Sequence, residues 1–229
     1  QDGSTIVWGK LPDSLNNHIW MQNFYNSLKT ENIKKIVSSS YGIYNSPYTA
    51  SMSDSVAFLT KSGVVHHLTV NSHPLSPKGM TDEAFTEISS NVIDIVCNDK
   101  AYAALKSDGS VITWSDSWTS NSSDPLYGGV SSNVANYISS GVTKIVANKY
   151  SLAALKSDGS VITWGGTQDS WVVTGAKQSK PIYVVDKLSS GVIDIVASER
   201  AYAALKNDGS VVVWGETESA DTTHVKSEI

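Results

Sequence analysis

Residues Asp94 to Trp114 read DIVCNDKAYAALKSDGSVITW. Two further segments align with them without gaps: Lys144 to Trp164, KIVANKYSLAALKSDGSVITW, and Asp194 to Trp214, DIVASERAYAALKNDGSVVVW. Gly109, Gly159 and Gly209 mark an offset of 50 residues. Self-similarity at a fixed period signals a repeat architecture. A degenerate copy occupies residues 35–70. There Ile36-Val37 stand for Ile95-Val96, and Val56 to Val65 stand over Tyr102 to Val111, with one deletion expected at the turn or just before it. A partial copy at residues 2–9, Asp2 to Gly9, matches Asp158 to Gly165.

Each unit reads as β structure. Ile-Val-Ala makes a first short strand, Ala-Tyr-Ala-Ala-Leu-Lys a second and Val-Ile-Thr-Trp a third. Asp-Gly between the last two favours a type I′ hairpin, because Gly tolerates positive φ. Ala-Ala-Leu-Lys has helical propensity, but a run this short, ending in Asp-Gly and followed by β-branched residues, is better read as strand. Alanines at fixed places suit close approach of packed sheets. One unit alone buries neither of its faces, whereas stacked neighbours do, so the array is a solenoid or a propeller. Three- or four-stranded sheets recurring about every 50 residues fit propeller blades. The expected architecture is an all-β propeller or propeller arc of four to five blades. Its regular blades are residues 94–115, 144–165 and 194–215, joined by long Ser/Asn-rich segments in one repeat domain spanning 1–229.

Composition agrees. Of 229 residues, 40% are hydrophobic and 17% charged, against about 25% charged in ordinary domains. A disordered chain would reverse that balance. The net charge of −5 argues against duplex nucleic acid as a partner, since backbone neutralisation needs a basic surface. No apolar run reaches the roughly 18 residues of a membrane span.

Several residue groups invite a chemical reading. Cys97 is the sole cysteine; it takes the place of Ala147 and Ala197 and reads as a small core residue. His66 and His67 replace Ile112 and Thr113. Neighbours on a strand point to opposite faces, so they are poorly placed to chelate one metal, and no metal or cofactor is expected. His73 adds nothing decisive, and His18 and His224 show no ligand spacing. Asp108, Asp158 and Asp208 sit in hairpin turns, where Asp accepts local backbone hydrogen bonds. Trp8, Trp114, Trp164 and Trp214 fill one recurring packing slot. No phosphate loop, nucleophile elbow or metalloprotease pair occurs, so no catalytic residue is assigned. Asn121-Ser122-Ser123 is a sequon that would carry a glycan in a secretory protein. The inter-unit segments hold Trp20, Tyr25, Trp118, Tyr127, Trp171 and Tyr183, which the repeat does not fix. Aromatics on polar loops are enriched at binding hot spots. The candidate binding residues are therefore Trp20, Trp118, Tyr127, Trp171 and Tyr183, set against the alternative that such rings pack outer strands over blade edges.

The motif IVA…AALKSDGSVITWG, with Ser140-Gly141-Val142 and Ser190-Gly191-Val192 just upstream, resembles the repeats of the regulator of chromosome condensation superfamily. The likeness is nearest to its bacterial and algal branch, which includes the propeller-type β-lactamase inhibitor protein. It implies a propeller, usually of seven blades; function is not fixed by fold. The chain holds about four and a half units and starts and stops within the repeat. Three arrangements accommodate this: part of a longer array, a five-bladed ring with one reduced blade, or an arc completed by another chain. The leading functional expectation is a non-catalytic protein-interaction or assembly module of a larger extracellular or surface protein, with a protein partner or self-association. The alternatives are a binder or inhibitor acting through the loop aromatics on one propeller face, and an enzyme using His66 or His67 near the axis.

Overall fold

The computed structural model describes residues 31–39, 55–69, 86–115, 134–166 and 186–215. The partial copy at 2–9 lies outside them. Among the described residues, twelve strands form four antiparallel three-stranded sheets, each a simple meander in chain order. The first holds β1 (Ile33–Ser39), β2 (Ser55–Thr60) and β3 (Val65–Thr69). The second holds β4 (Val92–Cys97), β5 (Ala101–Lys106) and β6 (Val111–Ser115). The third holds β7 (Val142–Ala147), β8 (Ser151–Lys156) and β9 (Val161–Gly165). The fourth holds β10 (Val192–Ala197), β11 (Ala201–Lys206) and β12 (Val211–Gly215). A single helical turn, α1 (Ala135–Ile138), precedes β7.

Two local expectations are corrected. The Asp-Gly hairpins are not type I′. Gly109 N–H donates to Lys106 O at 3.0 Å and Lys106 N–H to Ser110 O at 2.9 Å, closing a three-residue loop. Gly109 has φ of +81°, whereas Ser107 and Asp108 keep negative φ. This is a type I turn followed by a left-handed Gly, which an Asp-Gly pair serves equally well. Nor does the degenerate copy carry a deletion. Gly63 N–H donates to Thr60 O at 3.2 Å and Thr60 N–H to Val64 O at 2.9 Å, the same loop with Gly63 in place of Gly109. Asn91 has a φ of +61° where the equivalent positions are Gly141 and Gly191; Asn is among the few side chains that visit this region routinely.

The sheets stack because each has two apolar faces. The alternation along β5 sends Ala103 and Leu105, with Val111, toward the third sheet, where they pack with Val142, Ile145 and Trp164. Tyr102, Ala104 and Trp114 face the first sheet and pack with Ala57, Leu59 and Val65. The third and fourth sheets repeat the contact through Leu155 and Val161 against Ile195 and Trp214. Burying side chains of this size stabilises by roughly 1.5–3 kcal/mol each, which a lone sheet would forgo. Neighbouring sheets meet chiefly through their first strands, so the stack converges on that side. Backbone bonds tie the hairpin tips across each junction: Val92, Val142 and Val192 N–H donate to the carbonyls of Gly63, Gly109 and Gly159 at 2.9–3.0 Å. A Cβ on Gly159 would stand 2.7 Å from Gly191 N, so the residue is glycine for closeness as well as for φ.

Candidate functional site

The five aromatics singled out from the sequence, Trp20, Trp118, Tyr127, Trp171 and Tyr183, lie outside the described residues, as do His18, His73 and the sequon at Asn121. The remaining candidates can be placed. Cys97 is half-buried at the end of β4 and forms no disulfide. Asp108, Asp158 and Asp208 each accept the following Ser N–H at 2.9 Å and its hydroxyl at 2.6 Å. The serine hydroxyl chiefly, then its backbone N–H, holds each carboxyl below the ordinary carboxylate range. One carboxylate oxygen of each aspartate, Oδ1, is spent on the turn itself. Trp114, Trp164 and Trp214 are buried. Trp114 and Trp214 stack on their cross-strand neighbours Tyr102 and Tyr202 at 5.3 and 5.1 Å between centroids.

His66 and His67 point to opposite faces of β3, the strand farthest from the converging side of the stack. His66 Nε2 is 2.9 Å from a Glu31 carboxylate oxygen. His67 turns toward the second sheet and meets the Tyr102 ring edge-on at 4.9 Å and the Trp114 ring at 6.1 Å. The residue as a whole keeps some exposure, yet both ring nitrogens are sealed from solvent without a hydrogen-bond partner. Burial lowers its pKa to about 4. Among the described residues no three His, Cys, Asp or Glu side chains gather within reach of one metal ion, and no helix is long and apolar enough to cross a membrane.

The structure assembles a surface that the sequence reading passed over. The loops joining the first and second strands of the second, third and fourth sheets share one frame. Asn98 Oδ1 accepts the N–H groups of Lys100 and Ala101 at 3.0 and 2.8 Å. Asn148 Oδ1 does the same for Tyr150 and Ser151 at 2.9 and 2.8 Å. Ser198 Oγ accepts from Ala201 N–H at 3.1 Å. On this fixed frame the two tip residues vary: Asp99-Lys100, Lys149-Tyr150 and Glu199-Arg200. The tips are strapped side by side. Asp99 N–H donates to Lys149 O at 3.4 Å and Lys149 N–H to Glu199 O at 2.9 Å. The Lys149 ammonium donates to Glu199 Oε1 at 3.3 Å and lies 5.5 Å from the centre of the Tyr150 ring. The Glu199 hydrogen bond first, then Tyr150, raises the Lys149 pKa. Partial desolvation raises that of Asp99, opposed by the Lys149 charge. The result is a rim of alternating sign on rigid loops. The only sequence signal for it is negative: positions 99–100, 149–150 and 199–200 are the ones at which all three regular units differ.

No protein-family model matches the chain, and no curated protein matches it. Solved structures do. Prp20p of Saccharomyces cerevisiae, whose crystal structure was described together with its binding properties to Gsp1p and histones, aligns with a TM-score of 0.49 and 15% identity, over 80% of this chain and 44% of its own. Yeast RCC1 (Prp20) bound to Kap60 aligns with a TM-score of 0.50 and 16% identity, over 80% of this chain and 43% of its own. The computationally designed Ika4 protein aligns with a TM-score of 0.36 and 15% identity, over 80% of this chain and 98% of its own. The chain thus spans less than half the length of the yeast proteins it matches. Four consecutive antiparallel sheets stacked face to face, together with the alignment to yeast RCC1, make this chain an all-β protein with the RCC1-like β-propeller repeat fold.

Proposed function

We propose that the chain is a non-catalytic protein-interaction module whose contact surface is the loop rim of Asp99, Lys100, Lys149, Tyr150, Glu199 and Arg200. The observation that carries this is the strapped frame: three loops with the same backbone bonds present different charged tips at fixed spacing. A preorganised surface of this kind saves the entropy of ordering a loop on binding. Mixed charge at fixed spacing selects a partner by complementarity more than by affinity. The fold neighbours support the reading, since Prp20p was examined for binding to Gsp1p and histones and yeast RCC1 was crystallised with Kap60. An extracellular or surface setting is part of the same proposal, supported by the Ser/Asn-rich segments between units and the sequon at Asn121. The test is affinity capture from the source cells with the immobilised chain, set beside the charge-swapped variant K149E/E199K. That variant keeps the internal pair and exchanges the places of its two charges on the rim. Proteins lost with the swap but retained by Trp118→Ala and Trp171→Ala support the rim. An identical captured set from the native and swapped chains, or none from either, overturns it.

A further inference from the structure

Every junction inside the stack joins the same two surfaces. The leaving face of one sheet offers an Ala-x-Leu pair from the middle strand and a Val from the third. The entering face of the next sheet supplies an Ile from its first strand. Leu105 and Leu155 on leaving faces are 2% and 6% exposed, but Leu205 on the fourth sheet is 40% exposed. Val211 and Val196 on that face are 41% and 55% exposed. At the other end, Ile36 on the entering face of the first sheet is 54% exposed, although its counterparts Ile95, Ile145 and Ile195 are buried. The glycines repeat the contrast. A Cβ on Gly109 or Gly159 would strike the next sheet at 2.8 or 2.7 Å, while one on Gly209 meets nothing within 4 Å.

We infer that the leaving face of the fourth sheet docks against the entering face of the first sheet of a second copy, head to tail. Three features of the chain select that occupant. The interface is a continuation of ones already built, with Ile33 of the second copy at the register position of Val92, Val142 and Val192. Charge alternates along the equivalent first-strand positions as Lys35, Asp94, Lys144 and Asp194. Lys35 pairs with Asp94 at 2.7 Å and Lys144 with Asp194 at 2.6 Å. The next member in order is Lys35 of a second copy, opposite in sign to Asp194.

The third feature is a size and polarity match. Tyr102 and Tyr202 on entering faces place their hydroxyls 2.6 and 2.9 Å from Ser55 and Ser151 on the sheets before them. Where the leaving face has Ala101 instead, the entering residue is Leu152, and the two share one apolar cluster. The fourth sheet presents Ala201, and the first sheet enters with Val56 at that register position. An apolar side chain therefore meets alanine again. Two copies contribute eight of these sheets, within the range that closes as a propeller, and a heterologous contact that closes makes a ring instead of a filament.

Sedimentation equilibrium or light scattering on the chain tests this. A two-copy particle is expected. Leu205→Lys with Val211→Lys, both at exposed sites, should reduce it to one copy with an unchanged circular dichroism spectrum, and Ile36→Lys should do the same from the other end. Mixing the two variants leaves one native junction and should restore a two-copy species. A native chain that stays monomeric, or a particle that survives both variants, overturns the inference. Neither variant touches Lys149 or Glu199, so failure here leaves the capture experiment on the rim standing, and the converse.

Discussion

His67 makes the stability of the stack depend on mild acid, and a single replacement isolates the effect. Its ring lies against Tyr102 and Trp114 with both nitrogens sealed and unpartnered, and its pKa falls from 6.5 to about 4 on burial. The folded state thus resists protonation. A histidine with a lowered folded pKa leaves stability intact above the unfolded value of 6.5. Stability falls as pH drops below 6.5 and levels off under the folded value. The full span of 2.5 pH units corresponds to about 3 kcal/mol. Roughly 2 kcal/mol of that is lost between pH 7 and pH 5, before most carboxylates titrate. Two of the three regular units hold threonine at this position, Thr113 and Thr163, and the third holds Val213, so His67→Thr is a replacement the architecture already accepts. Urea unfolding of both chains at pH 7 and pH 5 should show the native chain losing about 2 kcal/mol more than the variant. The Glu31–His66 pair is common to both chains and cancels. If the two chains lose stability in parallel, His67 is not held neutral by burial and the reasoning fails.

Other consequences follow from the junctions. Gly159→Ala and Gly209→Ala share the cost of a left-handed alanine, about 1–2 kcal/mol. Compared in the Leu205→Lys, Val211→Lys background, where no second copy covers Gly209, only the first also drives a Cβ into the Gly191 backbone, so its thermal midpoint should fall clearly below that of the second, and equal midpoints would contradict the close approach. Tyr202→Phe removes the hydroxyl that bonds Ser151 Oγ at 2.9 Å and accepts Asn148 N–H at 3.3 Å, and should cost about 1–2 kcal/mol in urea unfolding. Combined with Ser151→Ala, the loss should be smaller than the sum of the single losses, since both side chains serve one buried contact.

Much of the fold was legible because three units keep the same Asp-Gly, Trp and Ala positions while their linkers drift. The first sheet was readable despite its decay: Ala57, Leu59 and Val65 preserve the leaving face even though Leu68 stands where Trp114 does. The turn type was not, because Asp-Gly suits two hairpin geometries and the choice rests on the strand register, which pairs Leu105 with Val111 instead of Ile112. The matching of Tyr102 with Ser55, Leu152 with Ala101 and Tyr202 with Ser151 was present in the sequence, but only the pairing of faces about 50 residues apart gives it meaning. The loop rim was passed over for a different reason. A search for repeats rewards sameness, and Asp99, Lys149 and Glu199 stand where no two of the regular units agree. The loop aromatics drew attention by residue type alone, without periodicity to say which face they occupy.

The tyrosine–serine contacts also make near-identical units non-interchangeable. If the third sheet followed the first directly, Leu152 would lie over Ser55 and leave that buried hydroxyl, 2.6 Å from Tyr102 in the native order, with one partner fewer. If the fourth followed the second, Tyr202 would bring its hydroxyl against Ala101, with nothing there to receive it. The second order strands a tyrosine hydroxyl in an apolar junction, at roughly 1–3 kcal/mol, and the first reduces Ser55 to its 2.8 Å bond with Ser39 Oγ. Chains built from look-alike segments are prone to pairing the wrong neighbours as they fold. Here one hydroxyl per junction, present or absent, gives each sheet an address that strands of almost the same sequence would otherwise lack.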